Sequence, residues 1–262
     1  MPRDRETLRR VFLEELPACS LVRAAWFGGS DATDRTDRWS DVDLYVLVQP
    51  GRTEDYCERQ ECWLERVAPV LRRYRLPEPT AHGARQEFIQ FEGLPEEHML
   101  DVCVLESFDP GAWIGVARHG TPQVIHDPES LLLEPAVDRD ALTERLQARR
   151  ATLGTTFPLF LHLAPKAARR GLPIEAQACY HSFVLRPLVE LLRLRYCPQR
   201  HDYGLRYLEQ DLPAEAYAEL LALAWPTGIE ALPRGCELAS ELFWRTMAQL
   251  ERDGIRLPAP PA

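Results

Sequence analysis

The chain has 262 residues, a formal charge of −9 and a sequence pI near 5.4. That acidity, with no basic block anywhere, argues against a polyanion-binding surface and sets nucleic acid outside the expected partners. The N-terminus MPRDRETLRR has no apolar signal-peptide core and no apolar run is long enough to span a bilayer, so a cytoplasmic protein without a membrane partner is expected. Seven scattered cysteines (19, 57, 62, 103, 179, 197 and 236) fit buried thiols in a reducing compartment better than disulfides or a metal knuckle.

In chain order, residues 4–16 read as a short amphipathic helix with Leu8, Val11, Phe12 and Leu16 on one side, closed by Pro17. A first strand is expected over 21–27, then a loop over 31–40 too polar to be buried. A second strand runs over 44–48, ended by Pro50-Gly51, and residues 54–73 read as a helix with a charged outer face. Strands over 87–91 and 99–105, parted by a turn near 93–97, are close enough to pair antiparallel, and 124–125 adds a small edge strand.

Past Pro135 alternation disappears. Helices are expected over 138–150, 153–170, 174–196, 202–210, 213–224 and 236–252, with Pro187 kinking or splitting the third. The closing LPAPPA reads as a frayed tail. The expected fold class is α+β: an N-terminal domain over 1–135 with a small mixed or antiparallel sheet flanked by helices, then an all-helical bundle over 136–262.

The chemistry concentrates in AWFGGSDATDRTDRWSDVDLYVLV. A strand enters the turn Gly28-Gly29-Ser30, and Asp41 and Asp43 then sit at alternate positions entering the next strand. Residues i and i+2 of a strand share a face, so the two carboxylates converge. Beside a glycine turn, this arrangement suits a divalent cation and the phosphates it carries. Asp101, an aspartate among apolar residues in MLDVCV, is the candidate third acid. Three like charges in one cleft repel, and a divalent ion offsets most of that cost.

These three elements, Gly28-Gly29-Ser30, Asp41-Val42-Asp43 and Asp101, resemble those of the polymerase-beta-like nucleotidyltransferase superfamily. The helical domain that follows is similar to that of the aminoglycoside and lincosamide nucleotidyltransferases. The stretch His201-Asp202-Tyr203-Gly204-Leu205-Arg206-Tyr207-Leu208 with Asp211-Leu212-Pro213 resembles a pattern in members of unassigned substrate. The resemblance implies a catalytic domain over 1–135 and a nucleotide- or acceptor-closing domain over 136–262.

It also implies transfer of AMP from ATP, or another nucleoside monophosphate from its NTP, to a small-molecule hydroxyl, with release of pyrophosphate. The acceptor candidates are an aminoglycoside, a lincosamide or an endogenous metabolite. Asp41, Asp43 and Asp101 would hold Mg²⁺, two ions in all, with Asp101 also orienting or deprotonating the acceptor. Gly28, Gly29 and Ser30 would cradle the phosphates.

Ser40 would orient a carboxylate, and Lys166, Arg186, Tyr203 and Arg206 would serve the nucleotide from the helical half. Tyr203, Arg206 and Tyr207 would share one helical face; for Lys166, a solvent-facing role is the competing reading, and for Tyr207 a core one. A monomer or homodimer is expected. The alternatives are a protein or RNA acceptor, or an antitoxin-like partner-binding protein with vestigial catalysis.

Overall fold

The computed structural model describes residues 4–257, so most of the LPAPPA tail lies outside the described residues. The fold is α+β, and the chain divides into two compact units after Ala136.

The first unit opens with α1 (Arg5–Glu15), whose N-terminus is capped by Asp4 accepting from Thr7 N at 3.1 Å. Then follow β1 (Val22–Phe27), a single helical turn α2 (Gly29–Ala32), β2 (Val42–Val48), α3 (Thr53–Val67), β3 (Val70–Arg75), β4 (Arg85–Phe91) and β5 (Leu100–Leu105). Two short helices, α4 (Pro110–Trp113) and α5 (Val116–His119), precede β6 (Gln123–His126). The strands form one mixed sheet in the order β3-β4-β5-β2-β1-β6, in which only the central β2–β5 pair is parallel.

Alternation along the central strands builds two cores. Val42, Leu44, Val46 and Val48 of β2 and Leu100, Val102 and Val104 of β5 face α1 and α3, where Leu8, Phe12, Tyr56, Trp63 and Leu64 are buried. Burial of each large apolar side chain contributes roughly 1.5–3 kcal/mol. The opposite face carries Trp26, Leu47, Cys103 and Leu105, with Trp26 stacked on Tyr45 at 5.3 Å between ring centroids. Asp43 and Asp101 sit on this second face, where β2 and β5 begin.

Two sequence expectations are corrected in this unit. Residues 54–73 are not one helix: α3 ends at Val67 and β3 follows. β3 is an edge strand exposed on both faces, so its sequence VLRRYR carries no one-sided apolar alternation to reveal it. Its arginines meet β4 instead, where the buried Glu87 accepts from Arg75 at 2.7 Å. The loop over 31–40 is also not wholly solvated, because Asp31 is buried.

The second unit comprises α6 (Arg139–Phe160), α7 (Leu163–Arg169), α8 (Pro173–Tyr180), a π-helical turn (His181–Leu185), α9 (Arg186–Tyr196), a 3₁₀ turn (Pro198–Arg200), α10 (Leu208–Asp211), α11 (Ala214–Ala224) and α12 (Leu232–Asp253). α6 runs unbroken through residues 150–153, where two helices were expected. Gly154 inside it permits close approach, since a Cβ there would come within 3.0 Å of the Met247 methyl. Phe157 of α6 stacks on Phe243 of α12 at 3.8 Å, and the buried Tyr180 hydroxyl donates to Leu223 O at 2.7 Å.

The expected helix over 174–196 is divided next to Pro187, into α8, the π turn and α9. The turn before the proline is wound as π, with Arg186 N donating to His181 O, five residues back. Such a turn absorbs the amide that proline lacks. The expected helix over 202–210 is mostly absent: residues 201–207 form turns and only α10 is helical. Among the described residues no helix is long and apolar enough to cross a membrane, and all seven cysteines are free thiols.

Candidate active site

The parallel register of β2 and β5 sets Asp43 directly beside Asp101 on one face of the sheet. The apolar residues on either side of each, Val42 and Leu44, Leu100 and Val102, fix that face by burying the other. Asp41 lies one residue before β2, and its carbonyl accepts from Arg5 Nε at 2.8 Å. Asp101 is gripped by Gln86 of β4, whose Nε2 donates to both carboxylate oxygens at 2.7 and 3.0 Å. The other end of that amide, Gln86 Oε1, lies 3.0 Å from His82 Nε2.

The glycine turn closes over Asp43. Gly28 N donates to Asp43 O at 3.0 Å, which is how β1 hands the chain to the turn beside β2. Gly29 has φ +53, and a Cβ there would fall inside the Asp43 carboxylate. Glycine is required twice over at this position, by conformation and by space. Next in the chain, Ser30 has a buried hydroxyl with no hydrogen-bond partner among the described residues.

Asp31 turns inward to a buried ion pair with Arg5, and Arg9 lies 3.3 Å from its other oxygen. Through these arginines α1 clamps the turn. Replacing Gly29 by Ala is expected to destabilise the protein by at least about 1–2 kcal/mol from the left-handed backbone alone. The variant also displaces the Asp43 carboxylate, so thermal melts with and without Mg²⁺ should show a lowered midpoint and no Mg²⁺-induced rise.

Electrostatically, Asp43 is the focus. Burial, then the nearby charges of Asp41, Asp101 and Asp31, push its carboxyl from 3.8 up to about 7, against an opposing pull from Arg5. Cys103, two residues past Asp101, has its thiol pushed up by burial and by Asp101 and Asp43. No set of three or more His, Cys, Asp or Glu side chains among the described residues is drawn together as a preformed metal cage. What the fold supplies is a crowd of carboxylates around one nearly buried acid, beside an orphaned hydroxyl. That donor set is all oxygen and strongly anionic, which fits a hard divalent cation carrying phosphate.

The other sequence candidates fall as follows. The Ser40 hydroxyl does not reach the carboxylates; it closes a turn, accepting from Asp37 N at 2.9 Å and donating to Asp37 Oδ1 at 3.1 Å. Lys166 is exposed on α7. Arg186, Tyr203 and Arg206 do come together, lining one open pocket of the helical unit with His181, Ser182, Gly204 and Leu205. They arrive there without sharing a helical face, because Tyr203 and Arg206 lie in turns.

The sequence reading missed Arg5, Gln86 and Arg193. Arg5 follows the apolar stripe of α1 at positions 5, 8 and 12, a signal visible in retrospect as a charge on the buried face. Gln86 carries no such mark, since its contact depends on strand register. Arg193, fully buried on α9, stands amid the run Leu191, Leu192 and Leu194; its guanidinium donates to Asp211 at 2.7 Å, Gly204 O at 3.0 Å and Arg206 O.

No protein-family model matches the sequence, and no curated protein matches it either. Among solved structures the chain is similar to nucleotidyltransferases over nearly its full length. One is an aminoglycoside 6-adenyltransferase from Bacillus subtilis, 13% identical, covering 97% of this chain and 92% of that one with a TM-score of 0.35. Another is a nucleotidyltransferase-like protein from Exiguobacterium sibiricum 255-15, 11% identical, covering 94% of this chain and 75% of that one with a TM-score of 0.39.

Proposed function

We propose that the first unit catalyses divalent-metal-dependent nucleotidyl transfer from an NTP to the hydroxyl of a small molecule. The observation that carries the reading is the nearly buried Asp43 carboxylate, packed on Gly29, in register with Asp101 and surrounded by like charge. Carboxyls whose ionisation is opposed by burial and like charge cluster at functional sites.

Asp41, Asp43 and Asp101 would hold Mg²⁺, whose chemistry when bound is to neutralise the triphosphate and the charge developing at the α-phosphorus. Ser30 carries a buried hydroxyl with no hydrogen-bond partner among the described residues, which would donate to a phosphate oxygen. Gly29, lacking a Cβ, lets the backbone pass close to the Asp43 carboxylate, where a phosphate tail would be cradled.

Asp101 is oriented by the Gln86 amide, which donates to both of its carboxylate oxygens. As a carboxylate so placed it would accept a hydrogen bond, and then the proton, from an attacking hydroxyl. The hydroxyl oxygen bonds to the α-phosphorus, the α–β phosphoanhydride bond breaks, and pyrophosphate leaves. ATP is the first donor to test. Aminoglycosides and lincosamides, as small polyhydroxylated molecules, are the first acceptors.

The test is an acceptor panel incubated with each NTP and Mg²⁺, read by mass spectrometry for a gain of one nucleoside monophosphate and by coupled pyrophosphate release. Product formation that requires Mg²⁺ and is lost in Asp43→Ala supports the reading. Absence of both triphosphate binding and metal binding at the cleft defeats it. Ser30→Ala is expected to keep the fold and lose about tenfold in kcat/KM, the effect of one charge-assisted hydrogen bond.

A further inference from the structure

The helical unit holds a second constellation, remote in sequence from the carboxylates, and two separate devices build it. One is the π-helical turn His181–Leu185. In an α-helix residues five apart point about 140° away from each other. The π turn, closed by Arg186 N on His181 O, returns residue i+5 toward the face of residue i. His181, Ser182 and Arg186 thereby line one pocket wall.

The other device is the buried Arg193, which holds the carbonyls of Gly204 and Arg206 and the carboxylate of Asp211, itself bridged to Arg200 at 2.8 Å. This grip keeps Gly204 at φ +60 and Tyr207 at φ +57, a left-handed conformation a tyrosine does not adopt unaided. The facing wall, with Tyr203 and Arg206, is therefore fixed rather than a loose loop.

The charges in this pocket are unbalanced. No carboxylate stands among the described residues that line it. Asp211 is already shared between Arg193 and Arg200, and Glu190 is taken by Arg149 at 2.7 Å. Neither the Arg186 nor the Arg206 guanidinium has a side-chain hydrogen bond or ion pair among the described residues, although the chain carries 40 acidic against 31 basic residues. An acidic protein has ample carboxylate to pair two arginines, and here it does not.

We infer that this pocket binds a phosphate group, and that it does so without a divalent cation and independently of the carboxylate cleft. The lining offers two guanidiniums, an imidazole and the Ser182 hydroxyl. One arginine fork satisfies a carboxylate, whereas two forks with further donors match the greater charge and oxygen count of a phosphoryl group. Leu205 and the Tyr203 ring give an apolar surface for whatever carries the phosphate.

The test is isothermal titration of the full chain with inorganic pyrophosphate in EDTA at fixed ionic strength, with succinate as the carboxylate control. Saturable pyrophosphate binding is expected, with succinate at least about tenfold weaker. Arg186→Gln and Arg206→Gln, both at exposed positions, should each weaken it by about tenfold or more, whereas Asp43→Asn should leave it unchanged.

No saturable binding, equal binding of succinate, binding indifferent to both arginine variants, or binding lost in Asp43→Asn would each overturn the inference. That last variant also separates this claim from the transfer reading, which fails on the cleft alone. Titration with ATP and Mg²⁺ then assigns the source of the phosphate. An affinity that falls in Arg206→Gln shows that a nucleotide's phosphate fills the pocket; an unchanged affinity, with pyrophosphate still bound, assigns the pocket to a phosphorylated small molecule other than the nucleotide.

Discussion

Replacing Asp43 by Asn is expected to make the metal-free protein more stable at pH 8 while lowering transfer by about a thousandfold. The two effects have one cause. The Asp43 carboxyl is pushed from 3.8 up to about 7 by burial and by Asp41, Asp101 and Asp31. In the unfolded chain the group ionises near its ordinary value, so between these two values the folded state holds a proton that the unfolded state has released. Stability therefore falls as pH rises through that window, and above about pH 7 the whole penalty is present, roughly 4 kcal/mol for a shift from 3.8 to about 7.

Asparagine keeps the shape and removes the charge, so the variant should lose this decline. Thermal melts of the metal-free protein at pH 5 and pH 8 should differ by several degrees in the wild type and much less in Asp43→Asn. Added Mg²⁺ should raise the wild-type midpoint at pH 8, because a cation bound to the folded state alone stabilises it by mass action. It should leave the variant unmoved. The activity loss follows from removing a charge that holds an ion contributing several kcal/mol at the transition state. A wild type whose stability is flat across this pH range would refute the electrostatic account of the cleft.

The elements that carry this cleft were readable because burial wrote them into the sequence. VDLYVLV and LDVCVL each have one face wholly apolar, so the strands and the placement of Asp43 and Asp101 on the opposite face follow from alternation. β3 was hidden for the converse reason: an edge strand with both faces in water has no face to mark. The turn over 31–40 misled because polarity was equated with exposure, and Asp31 is buried by virtue of two arginines that start 22 or more residues earlier in the chain.

Gln86 belongs to a different kind of blindness. Nothing about a glutamine in a strand says which neighbour it meets, and its grip on Asp101 exists only once β4 and β5 have paired in one register. In the helical unit, periodicity found the long helices and missed the turns. The residues that place Tyr203 and Arg206 are a glycine and a tyrosine in left-handed conformations and an arginine buried on another helix.

That arginine makes the second large prediction. Arg193 is fully buried, and its three nitrogens point three ways: Nε to Gly204 O at 3.0 Å, Nη1 to Asp211 at 2.7 Å and Nη2 to Arg206 O. Truncation to Ala removes packing and leaves these acceptors without their donor, and breaking a buried pair in this way costs about 3–5 kcal/mol.

Lysine should not rescue it. A single ammonium keeps the charge but cannot span a carboxylate and two carbonyls fixed by a planar fork, so Arg193→Lys should still lose roughly half of that or more. The local readout is hydrogen exchange. Peptides over 200–212 should lose protection in both variants, and peptides over 22–48, in the other unit, should not change. Asp211→Asn gives the opposing arm: it retains an acceptor for Arg193, so the turns should survive with a smaller loss than in Arg193→Ala. If Arg193→Lys protects 200–212 as well as wild type does, charge alone organises these turns, and the geometric role of the guanidinium is wrong.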